Sequence, residues 1–204
     1  MGKGTLFIVS APSGAGKTSL LKRLREELPD LVISISHTTR PRRPGEVDGR
    51  DYYFVSVETF ERMLAEGDFL EHAKVFDHYY GTARRQVEEN LERGFDVVLE
   101  IDWQGARQVR EKMPESRSIF ILPPSRQVLE QRLRSRGQDS EAVIVRRMRA
   151  ARAEIAHYDE YDYLVVNDRF EQALAQLESI IVADRLRLAR QREKLADLLR
   201  NLLV

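Results

Sequence analysis

A continuous apolar run, Leu6-Phe7-Ile8-Val9, is followed by small residues and then by Leu20, Leu21, Leu24 and Leu28 at helical spacing. The unbroken run predicts a strand buried on both faces, and the leucines predict a helix ending at Pro29. Strand, loop and helix in that order open a βαβ unit. Leu31 to Ser36 predicts a second strand. Residues 37 to 54 begin as loop and end in a strand around Tyr52-Tyr53-Phe54-Val55. Val57 to Gly67 predicts a helix, and Phe69 to Tyr80 predicts short strands joined by a turn. Residues 37 to 83 therefore read as an α/β insertion. Arg85 to Glu92 predicts a helix stopped by Gly94. Asp96 to Asp102 predicts a buried strand with acids at its carboxyl end, and Ile119 to Leu122 predicts the next, closed by Pro123-Pro124. Val128 to Arg136 and Glu141 to His157 predict two helices around a polar turn. Tyr163 to Val166 predicts a last strand, and Phe170 to Val204 is largely helical in pattern. This alternation predicts an α/β fold, a parallel sheet with helices on both faces.

Composition narrows the class. The 204 residues suit one domain with insertions, and 42% hydrophobic with 32% charged residues is a globular mix. Basic and acidic side chains balance at 33 each, so there is no global pull toward nucleic acid or membrane, and any basic site is local. Cysteine is absent, which excludes disulfides and thiolate zinc sites and fits a reducing compartment. The first apolar run is shorter than a signal-peptide core, and no apolar stretch is long enough to span a bilayer. The expectation is a cytoplasmic enzyme.

The loop after the first strand is Ala11-Pro12-Ser13-Gly14-Ala15-Gly16-Lys17-Thr18. It matches G-x-x-x-x-G-K-[ST] except at Ala11. Backbone N–H groups of such a loop converge on phosphate oxygens, and the positive end of the following helix adds to the field. Lys17 can reach β- and γ-phosphates, and Thr18 can offer its hydroxyl to a Mg²⁺ bridging them. The loop predicts ATP as co-substrate; the bland reading is a structural strand-to-helix turn.

Farther on, Ser36-His37-Thr38-Thr39-Arg40-Pro41-Arg42-Arg43 carries three arginines within four residues, enough to grip a phosphate or simply to form a solvated turn. Taken with Gly-Arg-Asp-Tyr-Tyr-Phe, Phe-Leu-Glu-His-Ala, Tyr-Tyr-Gly-Thr, Leu-Glu-Ile-Asp-Trp-Gln-Gly and Val-Val-Asn-Asp, the chain resembles the guanylate kinases from Phe7 to about Asp168. The resemblance implies a P-loop three-layer fold with a GMP-binding insertion (about 37–83) and a helical lid (about 126–157) on a core of about 1–36, 84–125 and 158–204. It implies that Arg40, Arg43, Tyr52 and Tyr80 hold the phosphate of GMP. Ser36, Glu71, Thr82 and Glu100 would read guanine, and Asp102 would lie near phosphates and metal. Glu100 departs from relatives that have aspartate there. Carboxylates suit guanine, whose N1–H and N2–H donate, whereas adenine lacks both donors.

Residues 126 to 152 hold eight arginines against three acids. A solvated face, a nucleic-acid patch and a mobile lid compete. No aromatics are interleaved, which weighs against nucleic acid. The resemblance favours the lid and singles out Arg136 and Arg147 as transition-state partners. His37, His72, His78 and His157 show no metal or triad spacing. Two alternatives stay open: a non-catalytic guanylate-kinase-like binding module, and a related kinase with another acceptor. The leucines from Leu186 onward, including Leu195, Leu198 and Leu202, can pack on the core or on a second copy of the chain.

Overall fold

A computed structural model describes residues 2–75, 77–135 and 140–204. In chain order, β1 (Leu6–Ser10) leads through the glycine-rich loop into α1 (Lys17–Glu27) and then β2 (Leu31–Ile33). The insertion follows: β3 (His37–Thr38), β4 (Tyr53–Phe54), α2 (Val57–Ala65), β5 (Phe69–Val75) and β6 (His78–Ala83). The chain returns through α3 (Arg84–Glu92), β7 (Asp96–Glu100), α4 (Trp103–Lys112) and β8 (Arg117–Leu122). Then come α5 (Arg126–Ser135), α6 (Glu141–Ile155), a single 3-10 turn, β9 (Tyr163–Val166), α7 (Phe170–Arg185), α8 (Leu188–Lys194) and α9 (Ala196–Leu202).

The main sheet is parallel throughout, in the order β2-β7-β1-β8-β9. Because side chains alternate along a strand, β1 feeds both faces. Phe7 and Val9 pack with Leu20, Leu21 and Leu24 of α1 and with Leu174, Leu177 and Ile181 of α7. Leu6 and Ile8 turn the other way, onto Val87 and Leu91 of α3 and Ala106 and Val109 of α4. Those two faces make the three layers that the apolar pattern predicted.

Three elements differ from the sequence reading. The second strand ends at Ile33 rather than Ser36, since the chain crosses to a second sheet and His37 pairs with Tyr53 and Gly81. The strand expected over Asp96 to Asp102 ends at Glu100, and Asp102 is the N-cap of a helix, α4, which the sequence reading did not predict. That helix buries only Gly105, Ala106 and Val109, too thin a stripe to be read as a helical period.

The second sheet has the order β4-β3-β6-β5. Phe60 of α2 stacks on Phe69 and on Tyr79, fixing helix and hairpin together. Between Phe69 and Glu71 the β5–β6 register slips, so Glu71 stands opposite Thr82 instead of Gly81. A bulge of this kind re-aims a side chain. At the amino end of the main sheet, buried Asp96 accepts from Arg185 at 2.7 Å, Arg190 at 2.8 Å and the Thr5 backbone at 2.8 Å. These bonds tie α7 and α8 beneath the sheet. Among the described residues no helix is long and apolar enough to cross a membrane.

Candidate active site

The carboxyl ends of β1, β7 and β9 converge, as crevices in parallel sheets do. From β1 the chain enters the loop Ala11 to Thr18. Gly14 (φ 92°) and Gly16 (φ 89°) take left-handed conformations that a Cβ disfavours. At Gly16 a Cβ would also stand 2.5 Å from Asn167 Nδ2. That same Nδ2 donates to the Ala15 carbonyl at 2.7 Å, and the Ala15 N–H donates to Pro12 O at 3.0 Å. The loop is therefore braced from outside by the residue that follows β9. Asn167 lies in the Val-Val-Asn-Asp motif, to which the sequence reading gave no separate role. Arg132 of α5 donates to the Asn167 carbonyl at 3.0 Å, and Leu129 and Leu133 lie against Gly14. The arginine-rich helix and the loop are in contact.

Thr18 donates its hydroxyl to Glu100 Oε1 at 2.6 Å, and Lys17 Nζ stands 3.9 Å from the same oxygen. The register pairing of Val9 with Glu100 puts the end of β7 beside the loop. Glu100, expected on guanine, is thus engaged with the loop's lysine and threonine. Asp102 accepts from the Gly105 backbone at 2.9 Å, capping α4, and lies on the wall of a cleft of ≈ 860 Å³. Ser13, Lys74, Arg146, Arg147 and Glu154 also line that cleft, which runs from the glycine-rich loop to the β5–β6 hairpin and α6. Burial pushes the Glu154 carboxyl above the usual range, with Lys17 working against the shift and Asp102 adding to it. The sequence reading passed over Glu154. Arg136 lies outside the described residues.

On the insertion, Arg40 gives both terminal nitrogens to Glu46, at 3.1 and 2.7 Å, a bidentate pair that fixes the plane of the guanidinium. Its carbon sits 5.4 Å from the Tyr52 ring centroid, and the Tyr52 and Tyr80 rings meet edge-on at 6.0 Å. Arg40, Tyr52 and Tyr80 are therefore one cluster. Arg43 is exposed, and its backbone N–H donates to Glu46 at 2.8 Å. Glu46 organises the whole turn, a role no motif advertised. Ser36 accepts the Tyr53 N–H on its carbonyl at 2.9 Å, aligning β3 with β4.

Glu71 is buried at 5% exposure and accepts from Thr82 Oγ1 at 2.5 Å. Burial raises its carboxyl to about 7, with Asp102 adding to the shift and Thr82 and Lys112 opposing it. His37 stacks on Tyr53 at 4.8 Å and meets the Phe69 edge, a packing role within the insertion.

The site thus holds a glycine-rich loop engaged with Glu100, and a second basic and aromatic cluster whose Tyr52 feels the Glu100 charge, with a buried carboxylate on the insertion. That arrangement suits transfer between two phosphorylated ligands. The guanylate kinase family model matches residues 3–184. The chain is 62% identical over 203 residues to a guanylate kinase of Methylococcus capsulatus, covering 100% of both chains. It is 57% identical over 205 residues to the guanylate kinase of Escherichia coli K12, covering 100% of this chain and 99% of the other. The crystal structure of guanylate kinase from Anaplasma phagocytophilum superposes with a TM-score of 0.75 at 36% identity, over 95% of this chain and 94% of that one. On the family match over residues 3–184 and these full-length identities, the chain belongs to the guanylate kinase family.

Proposed function

We infer that this enzyme transfers the γ-phosphoryl group of ATP to GMP, giving ADP and GDP, with the residues above in assigned roles. The observation that carries the assignment is the pair of clusters that share Glu100: Lys17 and Thr18 at the glycine-rich loop contact its carboxylate, and Tyr52, packed with Arg40 and Tyr80 on the insertion that also buries Glu71, feels its charge. An oxygen of the GMP phosphate attacks the γ-phosphorus as the bond to the β–γ bridging oxygen breaks and ADP leaves. GMP phosphate is largely ionised at neutral pH, so no general base is required. Catalysis then consists of alignment and charge stabilisation. The loop backbone from Ala11 to Thr18 and Lys17 hold the ATP phosphates. Arg40, Arg43, Tyr52 and Tyr80 hold the GMP phosphate, and Glu71 and Thr82 face guanine, with Ser36 just ahead of β3. Arg147, with Arg136 beyond the described residues, brings positive charge from the lid.

The hydroxyl of Thr18 and the carboxylate of Glu100, 2.6 Å apart beside Lys17, are hard oxygen donors of the type Mg²⁺ takes. When bound, Mg²⁺ would supply positive charge to offset that on the ATP phosphates, with Thr18, Glu100 and Asp102 the residues that would hold it.

The division into core (about 1–36, 84–125 and 158–204), insertion (about 37–83) and lid (about 126–157) is part of this reading, as is a cytoplasmic location. So is self-association through the C-terminal helices, where Leu188 (79% exposed) and Leu202 (71%) are left uncovered by the rest of this chain. The test of the assignment is GMP-dependent ADP release by Lys17→Ala and Arg40→Ala. Each is expected to lose about a hundred- to thousandfold in turnover while keeping its melting temperature. Near-normal turnover by either folded variant would sink it.

A further inference from the structure

Gly105 is buried in the first turn of α4, directly beneath the Glu71 carboxylate. A Cβ built at Gly105 would stand 2.8 Å from Glu71 Oε2 and 3.3 Å from its Cδ, while Ile101 Cβ lies at an ordinary 3.4 Å. The first distance is closer than such atoms approach, so one of them must move. The backbone of α4 is held: Asp102 accepts the Gly105 N–H at 2.9 Å, and Gln108 of the same helix exchanges bonds with the His72 backbone at 3.1 and 2.9 Å. Lys112, one further turn along, donates to the Phe69 and Leu70 carbonyls at 3.2 and 2.7 Å. Two side chains of α4, Gln108 and Lys112, thus pin the helix to β5 on either side of Glu71. The movable partner in that contact is the carboxylate itself, on its flexible stem.

We propose that Gly105 is a positioning residue for acceptor selectivity: by lacking a side chain it lets the Glu71 carboxylate seat against α4, in the place from which it accepts from guanine. The claim rests on the assignment of Glu71 as the guanine acceptor. It also explains a glycine in the first turn of α4, where alanine would suit the helical backbone better. Any side chain at 105 displaces Oε2 toward the space where the base lies, and strains the short bond from Thr82. Asp102 shares in this work indirectly, since its cap on the Gly105 N–H sets where the first turn of α4 stands.

The experiment is a double-mutant cycle between Gly105→Ala and Glu71→Ala, read as KM for GMP, KM for ATP, kcat and the GMP-to-AMP preference. Gly105→Ala is expected to raise the KM for GMP about ten- to hundredfold, the range for losing one hydrogen bond to a charged group. KM for ATP is expected to stay within about twofold, because α4 does not touch the glycine-rich loop through Gly105. In the Glu71→Ala background the alanine at 105 should add nothing further. An unchanged KM for GMP in Gly105→Ala, or penalties that simply add, would overturn the proposal. If Glu71→Ala itself leaves the KM for GMP unchanged, the guanine assignment fails and this inference with it. If Gly105→Ala is too unstable to assay, the melting temperature of the double variant decides: recovery to that of Glu71→Ala supports the clash, and no recovery overturns it.

Discussion

Glu71 shows how one buried side chain couples recognition to stability. Its carboxyl is raised to about 7 by burial, above the ordinary value of 4.5. The folded protein therefore holds this proton more tightly than the unfolded chain does. That contribution is fully present below the unfolded value and is lost as pH climbs from about 4.5 to about 7. Urea melts of wild type and Glu71→Gln should diverge across this window, with wild type losing stability relative to the variant as pH rises. A constant difference would contradict the account. In its proposed role as guanine acceptor Glu71 needs the opposite state, since only the ionised carboxylate is free to accept from both N1–H and N2–H. Asn167 makes a second residue-scale case. Asn167→Ala would strand the Ala15 carbonyl and unbrace the loop at Gly16. The expected result is a higher KM for ATP and a loss of about 1–3 kcal/mol in stability. The loop itself was legible in sequence because its chemistry is contiguous. Its brace was not, because Asn167 lies 152 residues away from Ala15 and only the sheet order brings them together.

At the level of elements, the contrast is between α1 and α4. Three buried leucines and a preceding glycine-rich loop announced α1. By contrast, α4 buries two small residues and one valine, so its period was faint, although Asp102 caps it with a bond to Gly105 N. Asp102→Ala should cost about 1 kcal/mol in thermal or urea unfolding, the usual value of an N-cap. Because that cap sets the first turn of α4, the KM for GMP should rise with it, and an unchanged KM would argue that α4 is held by Gln108 and Lys112 alone. The lid behaves as an element with its own small core of Leu129, Leu133, Ile144 and Ala151. Arg134 spans it, bonding Glu130 on α5 at 2.8 Å and Glu141 on α6 at 2.7 Å. Much of the arginine excess read from sequence therefore does local work: Arg134 clamps the hairpin, and Arg132 reaches the Asn167 carbonyl. Leu133→Ala would open that core beside Gly14, and the expected outcome is a raised KM for ATP with the KM for GMP little changed.

Over the whole molecule, three layers were legible because β1 is apolar from Leu6 to Val9 and feeds two cores at once. The insertion's architecture was less so. Its strands β3 and β4 are two residues each, below what periodicity can register, and the slip that aims Glu71 at Thr82 has no sequence signature. Long-range charge pairs were equally hidden. Asp96 is 1% exposed and meets Arg185 and Arg190 from the far end of the chain. Asp96→Ala, removing the buried carboxylate that those two arginines share, should cost about 3 kcal/mol in unfolding free energy and loosen α8 from the sheet. In the proposed function, the fold brings together two clusters, one built on the main sheet and one on the insertion, to serve donor and acceptor phosphates. The most direct test of that claim is ADP release from ATP by the wild-type protein across GMP, dGMP, AMP, UMP and CMP. The account predicts rapid release with GMP and little with AMP, UMP or CMP. Equal release with AMP, or none that depends on GMP, would contradict it.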